Sequence, residues 1–224
     1  MISKRVQAFH HKLDYYITEG KKIFLTSSFQ SQSLPLLHII STCNYSVPVY
    51  FLNTGYLFPE SIQYKNEVSD RLNLNTIELR PETPKHLQKA VDGNLLFVSD
   101  PDHCCYVNKI HPLEKVLIEK DVWINGVRAD QSRTREKLKE EMKAPFNVIR
   151  YHPMLKWSAK MIHDYIEEFK LPRHPLEDQG YISIGCEPCT RSHINSDENR
   201  SGRWFGLSKT ECGLHIDLAK LEPS

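Results

Sequence analysis

The chain has 224 residues, 40% of them hydrophobic and 25% charged, enough apolar material for one globular domain with a sizeable core. Its 29 basic and 28 acidic residues leave a formal net charge of +1, which excludes a generally basic nucleic-acid-binding surface but not a local basic pocket. No apolar run reaches the length of a membrane span, and Met1-Ile2-Ser3-Lys4-Arg5 lacks the apolar stretch of a secretory signal, so a cytoplasmic setting with reduced thiols is expected.

Residues 4–20 mix charges with Val6, Phe9, Leu13, Tyr16 and Ile17 at spacings of three and four, which predicts an amphipathic helix. Residues 22–26 read as a short buried strand. A polar loop follows over residues 27–33. Residues 34–40 begin a helix with Pro35 in its first turn. Strand, hydroxyl-rich loop and helix is a layout that holds phosphate on free N–H groups, but the loop lacks the Gly-x-x-x-x-Gly-Lys pattern of Walker-type NTPases.

Residues 47–52 form a second predicted strand, and Asn53-Thr54-Gly55-Tyr56 turns out of it. Helical periodicity follows over 59–72, a third strand over 76–79 and a short helix over 84–91. Residues 123–127 and 147–151 are two more strands, and a helix runs from Trp157 to about Phe169. Strands alternating with helices predict an α/β fold with a mostly parallel, twisted sheet flanked by helices. Ligands of such sheets lie beyond the carboxyl ends of the strands, where this chain carries Ser27-Ser28, Asn53-Thr54-Gly55 and Arg128-Ala129-Asp130. After Leu171 the breakers Pro172, Pro175, Gly180, Gly185 and Pro188 accumulate. Two units are expected: residues 1–190 as the folded domain, and residues 191–224 as a flexible C-terminal tail.

Six cysteines in a reducing compartment point to metal and redox chemistry rather than disulfide staples. Cys186-Glu187-Pro188-Cys189 is a CxxC pair, and Cys104-Cys105 offers two more thiols. Consecutive cysteines on a strand would point to opposite faces, so sharing one centre requires a helix or tight turn, which Pro101 to Leu117 suits. On a continuous helix Lys109 shares a face with Cys105, placing a cation beside the thiols. Zinc sites usually combine two CxxC-like hooks, and adjacent cysteines make a poor hook. A cluster can accept adjacent thiols on separate irons, so an iron–sulfur cluster is favoured over zinc. Cys43 follows an apolar helical run and reads as a core residue. Cys212 stands apart, with Lys209 and His215 favouring its thiolate and Glu211 opposing it. Arg128, Arg200 and Arg203 are candidate grips for phosphate or sulfate, whereas Arg133 and Arg135 read as a solvated segment.

Taken together, Cys104-Cys105, Gly185-Cys186-Glu187-Pro188-Cys189, Arg200-x-x-Arg203-Trp204 and Lys209-Thr210-Glu211-Cys212-Gly213-Leu214-His215 resemble the assimilatory sulfonucleotide reductases. Asn53-Thr54-Gly55-Tyr56-Leu57-Phe58-Pro59-Glu60 and Gly126-Val127-Arg128-Ala129-Asp130-Gln131-Ser132 look like motifs of the same family, and the resemblance runs from about residue 23 to 215. It implies an adenine-nucleotide alpha-hydrolase-like fold. It implies a [4Fe–4S] cluster on Cys104, Cys105, Cys186 and Cys189, and Cys212 as nucleophile with His215 near the active site. Substrate contacts are implied at Ser27, Ser28, Phe29, Thr54, Gly55, Lys109, Arg128, Arg200 and Arg203.

The implied activity is reduction of adenylyl sulfate to sulfite and AMP in sulfate assimilation, through a Cys212 S-sulfonate resolved by thioredoxin or glutaredoxin. Two alternatives stay open: reduction of the 3′-phosphorylated nucleotide, and a zinc-stabilised nucleotide-binding module without catalysis. The oligomeric state also stays open.

Overall fold

The computed structural model describes residues 2–192, 202–204, 209, 211 and 213–216, of which His215 and Ile216 by backbone alone. Six strands form one sheet: β1 (Ile23–Thr26), β2 (Val49–Leu52), β3 (Thr76–Leu79), β4 (Val122–Asn125), β5 (Glu141–Ala144) and β6 (Val148–Tyr151). Their order is β3-β2-β1-β4-β6-β5, with every pairing parallel except that of β5 with β6. The chain leaves β1 for β2 and β3 on one side, then returns to β4 on the other. The switch point therefore lies between β1 and β4, where the crevice beyond the strand ends opens.

Alternation along the strands splits the core into two layers. Ile23 and Leu25 of β1, Val49 and Phe51 of β2, and Val122 and Ile124 of β4 face one side. There they meet α1 (Ile2–Thr18), α2 (Leu34–Ser41), α3 (Pro59–Arg71) and the helix Ala159–Glu168. Phe24, Trp123 and Val148 face the other side and pack on Leu113, Val116 and Leu117 of α6 (His111–Leu117). No helix among the described residues is long and apolar enough to cross a membrane.

The sheet and its flanking helices follow the sequence expectation closely, with three differences. Only Lys85–Leu87 of the helix expected over 84–91 is helical, as a single 3-10 turn; beyond it Lys89 bridges Leu95 instead. Strand β5 was not expected, because Glu141-Met142-Lys143-Ala144 has the charge of an exposed segment; it is the sheet's antiparallel edge, where charge discourages further pairing. The stretch from Pro101 to Leu117 follows α4 (Leu96–Ser99) and is not one continuous helix but α5 (Pro101–Cys105), a π-helical turn over Tyr106–Ile110, and α6. Pro112 supplies the reason for the widened turn: it has no N–H, and its ring would collide with the carbonyl four residues back.

Candidate active site

A cavity of about 230 Å³ opens beyond the ends of β1 and β4. Thr26, Ser27 and Ser28 line it from β1, and Asn125, Gly126, Val127 and Arg128 from β4. Lys109 of the π turn and Arg203 add cationic walls, and Leu214 of the short helix Gly213–Ile216 adds an apolar one. Phosphate- or sulfate-bearing ligands suit this combination of cations, hydroxyls and strand-end N–H groups.

Both arginines are held by defined neighbours. Arg128 is 2% exposed; its Nε donates to Asp130 Oδ1 at 2.9 Å and its Nη1 to Gln32 Oε1 at 2.9 Å. The Arg203 Nε donates to the Cys189 carbonyl at 3.3 Å, and its guanidinium stacks 4.5 Å from the Trp204 ring centroid. Arg203 also lies against the bare Cα of Gly185, where any side chain would overlap its guanidinium. A Cβ there would have to displace the end of the Arg203 side chain.

The segments 189–191 and 202–204 run back along one another. Thr190 bridges Arg203, Arg191 N donates to Gly202 O at 2.9 Å, and Trp204 N donates to Cys189 O at 3.1 Å. Residues 202–204 are thus held against the CxxC turn.

A second, smaller cavity of about 10 Å³ is lined by Cys104, Cys105, Cys186 and Cys189 together with Lys109, Tyr56 and Phe97. Asp100 starts α5 by accepting from His103 N at 2.9 Å, with Pro101 in the first turn. That start brings both Cys104 and Cys105 into the buried second turn, as their sharing of one centre requires. The CxxC turn follows an isolated bridge between Leu57 and Cys186, and Thr190 Oγ1 donates to the Cys186 carbonyl at 2.8 Å. Thr54 Oγ1 lies 3.2 Å from Cys186 Sγ, and Asn108 Nδ2 donates to Cys104 Sγ at 3.5 Å. Burial pushes the Cys104 thiol up to about 11, with the neighbouring Cys186 and Cys189 adding to the effect and Lys109 opposing it. Burial also raises Cys189, against the pull of Lys109, Arg203 and Lys209. The described cysteines are free thiols. No three His, Cys, Asp or Glu side chains among the described residues converge on a single ion.

Lys109 and Cys186 line both cavities and form the wall between them. Lys109 does so from a π turn rather than from the continuous helix expected.

Three residues expected as substrate contacts do not line this cavity. Phe29 is buried in the main core with its ring 5.7 Å from that of Phe51, and its left-handed backbone, φ 54°, turns the loop so that Ser27 and Ser28 face the cavity instead. Thr54 and Gly55 face the thiols and Lys85 rather than the larger cavity. Cys212 and Arg200 lie outside the described residues, as does the side chain of His215. Cys43 is half-buried against the main core as expected, its thiol pushed up to about 11 by burial.

Residues 22–192 match the family described as the phosphoadenosine phosphosulfate reductase domain. An adenosine 5′-phosphosulfate reductase of Bacillus cereus is 40% identical over 196 residues, covering 87% of this chain and 84% of its own. The chain belongs to the phosphoadenosine phosphosulfate reductase family. A phosphoadenylyl-sulfate reductase from Candida auris, solved with phosphate, superposes with a TM-score of 0.66 at 21% identity, over 80% of this chain and 87% of that one. An FMN adenylyltransferase from Candida glabrata reaches a TM-score of 0.56 at 18% identity, over 90% of this chain and 69% of its own. These two share the fold.

Within the reductase family frame, sequence reasoning missed Gln32, Gln131, Arg135, Trp204 and Leu214 as cavity residues. Arg135 carried the most misleading signal. Its charged surroundings suggested solvent, yet it is buried and holds Glu211, 76 residues further along. Gln131 had a visible cue in the Arg128-Ala129-Asp130-Gln131 stretch. Its side chain accepts from Arg128 N at 3.1 Å and thereby caps the turn that presents Arg128.

Proposed function

We propose that this chain reduces adenylyl sulfate to sulfite and AMP, with Cys212 as nucleophile and a thioredoxin or glutaredoxin as reductant. The observation that carries the reading is the cavity shared by Lys109, Arg128, Arg203 and Leu214: three cations in reach of one space, walled by a residue two positions after Cys212. The Bacillus cereus relative named for this substrate supports the choice of the unphosphorylated nucleotide.

The Cys212 thiolate attacks the substrate sulfur. The new S–S bond forms as the S–O bond to AMP breaks, and the leaving phosphate is stabilised by Lys109, Arg128 and Arg203. A reductant thiolate then attacks the Cys212 sulfur, displacing sulfite, and its second thiol resolves the mixed disulfide to return the Cys212 thiol. Two thiols are oxidised to one disulfide while the transferred sulfur gains two electrons.

Cys104, Cys105, Cys186 and Cys189 would hold a [4Fe–4S] cluster. The donor set fits, because four thiols from two separate turns wall one cavity. The thiols must draw apart to admit anything larger than a water. When bound, the cluster supplies thiolate-compensated charge beside the substrate and ties α5 to the CxxC turn. Lys109, on the shared wall, carries that influence to the nucleotide.

The test is sulfite release by the purified protein with reduced thioredoxin and each nucleotide in turn. Faster turnover of adenylyl sulfate supports the reading. A strong preference for the 3′-phosphorylated form overturns the substrate, and no sulfite from either overturns the activity.

A further inference from the structure

We propose that Arg135 and Ser132 are positioning residues that clamp Glu211, the residue before Cys212, to the wall of the nucleotide cavity; this rests on Cys212 being the nucleophile. Glu211 is 1% exposed, and its carboxylate accepts hydrogen bonds from Arg135 and Ser132. Arg135 donates through Nε at 3.1 Å and Nη2 at 2.8 Å, and Ser132 through Oγ at 3.1 Å. A carboxylate beside a nucleophilic thiol should oppose thiolate formation and repel an anionic substrate. Here a two-pronged guanidinium matches its charge, so the negative field expected from Glu211 is largely cancelled.

The clamp is continuous with the substrate wall. Arg135 lines the cavity and donates through Nη1 to Gln131 Oε1. Gln131 Nε2 donates to Gln32 Oε1 at 3.2 Å, the same oxygen that accepts from Arg128. The loop after β1, the turn after β4 and the C-terminal segment thus share one polar network. The chain on either side of Cys212 is held at further points: Lys209 pairs with Asp102 at the start of α5, and Leu214 packs on the second core layer. A buried ion pair adds little stability over an apolar contact of the same size, but it fixes direction and register. Register is what a nucleophile needs, since a misplacement of about 1 Å costs on the order of a hundredfold in rate.

The experiment compares wild type, Glu211→Gln, Arg135→Gln and the double variant. In each, iodoacetamide labelling of Cys212 is timed by peptide mass without nucleotide, and S-sulfonate formation is timed in a single turnover at saturating adenylyl sulfate. Nucleotide affinity is measured for wild type and Glu211→Gln. Glu211→Gln should slow adduct formation by about 10- to 100-fold, as loss of charge-assisted bonds does. It should speed labelling several-fold and leave nucleotide affinity within about twofold. The double variant should be no slower than the slower single one, because both lose the same interaction. Unchanged labelling in Glu211→Gln overturns the clamp, and so does affinity that falls in step with the rate or fully additive losses. Labelling needs no turnover, so it decides the clamp even if wild type forms no adduct, an outcome that would instead overturn Cys212 as nucleophile.

Discussion

The guanidinium of Arg203 occupies the space a side chain at Gly185 would fill, with Nη1 2.8 Å from where a Cβ would stand. One residue of the CxxC turn thus sets the position of an anion-binding arginine. Gly185→Ala should displace Arg203 and weaken nucleotide binding nearly as much as Arg203→Ala, while the four thiols remain. Isothermal titration of both variants checks this; Gly185→Ala with wild-type affinity would show that the close approach is dispensable.

Arg203→Ala and Lys109→Ala should each weaken binding of adenylyl sulfate by about 1.5–3 kcal/mol, the range for a lost charge-assisted bond. Lys109 also lies against the thiol cavity, where burial raises the Cys104 and Cys189 thiols and the lysine charge partly offsets that rise. Lys109→Ala should therefore also reduce iron retention after anaerobic purification, and Arg128→Ala should not, because Arg128 lines the larger cavity alone of the two. Equal iron in wild type and Lys109→Ala would separate the lysine from the cluster.

Cys105→Ser and Cys186→Ser should lose iron, acid-labile sulfide and activity together. The π turn carrying Lys109 follows Cys105 directly, and Cys186 sits on the shared wall, so loosening either thiol moves a substrate cation. Full activity in an iron-free variant would remove the structural role. Colourless wild-type protein with stoichiometric zinc, purified without oxygen from iron-replete cells, would favour the zinc-stabilised module.

Stability should fall on acidification below about pH 6.5. Burial lowers His174 to about 4, and burial together with Arg150 lowers His152 to about 4. Each imidazole is neutral in the fold but takes a proton in the unfolded chain below its ordinary value. Stability is therefore fully present above pH 6.5 and is lost as pH falls towards 4, with an upper bound of about 3 kcal/mol for each imidazole. His174 Nδ1 accepts from Leu176 N at 3.2 Å, which leaves Nε2–H to donate to Ser61 Oγ at 3.0 Å. Glutamine can make the second bond without titrating, so thermal unfolding of His174→Gln should depend less on pH from 6.5 to 4. An unchanged slope would assign the acid sensitivity elsewhere.

The parallel sheet was legible because each strand is a short β-branched or aromatic run punctuated by turn residues, and periodicity fixes such elements locally. The pairing of Cys104-Cys105 with the CxxC turn was legible from thiol chemistry and helix geometry. Arg135 and Glu211 were not: each looks solvated in its own neighbourhood, and only the fold brings them together to neutralise one another. The burial of the Phe29 ring was hidden for a related reason. A left-handed backbone at one residue decides which side chains of a loop face a ligand, and no local pattern marks that at a phenylalanine. Pro112 was a visible cue to the broken helix around Lys109, since a proline inside a helical pattern kinks or widens it.

The central claim is that Cys212 carries the sulfonate. Wild-type protein incubated with adenylyl sulfate and no reductant should gain the mass of one sulfonate on the peptide containing Cys212. Added reduced thioredoxin should remove that mass and release sulfite in equal amount. Cys212→Ser should bind nucleotide and keep its iron yet form no adduct, because a serine hydroxyl stays protonated and is a far weaker nucleophile. An adduct on any other cysteine, or sulfite from the serine variant, would contradict it.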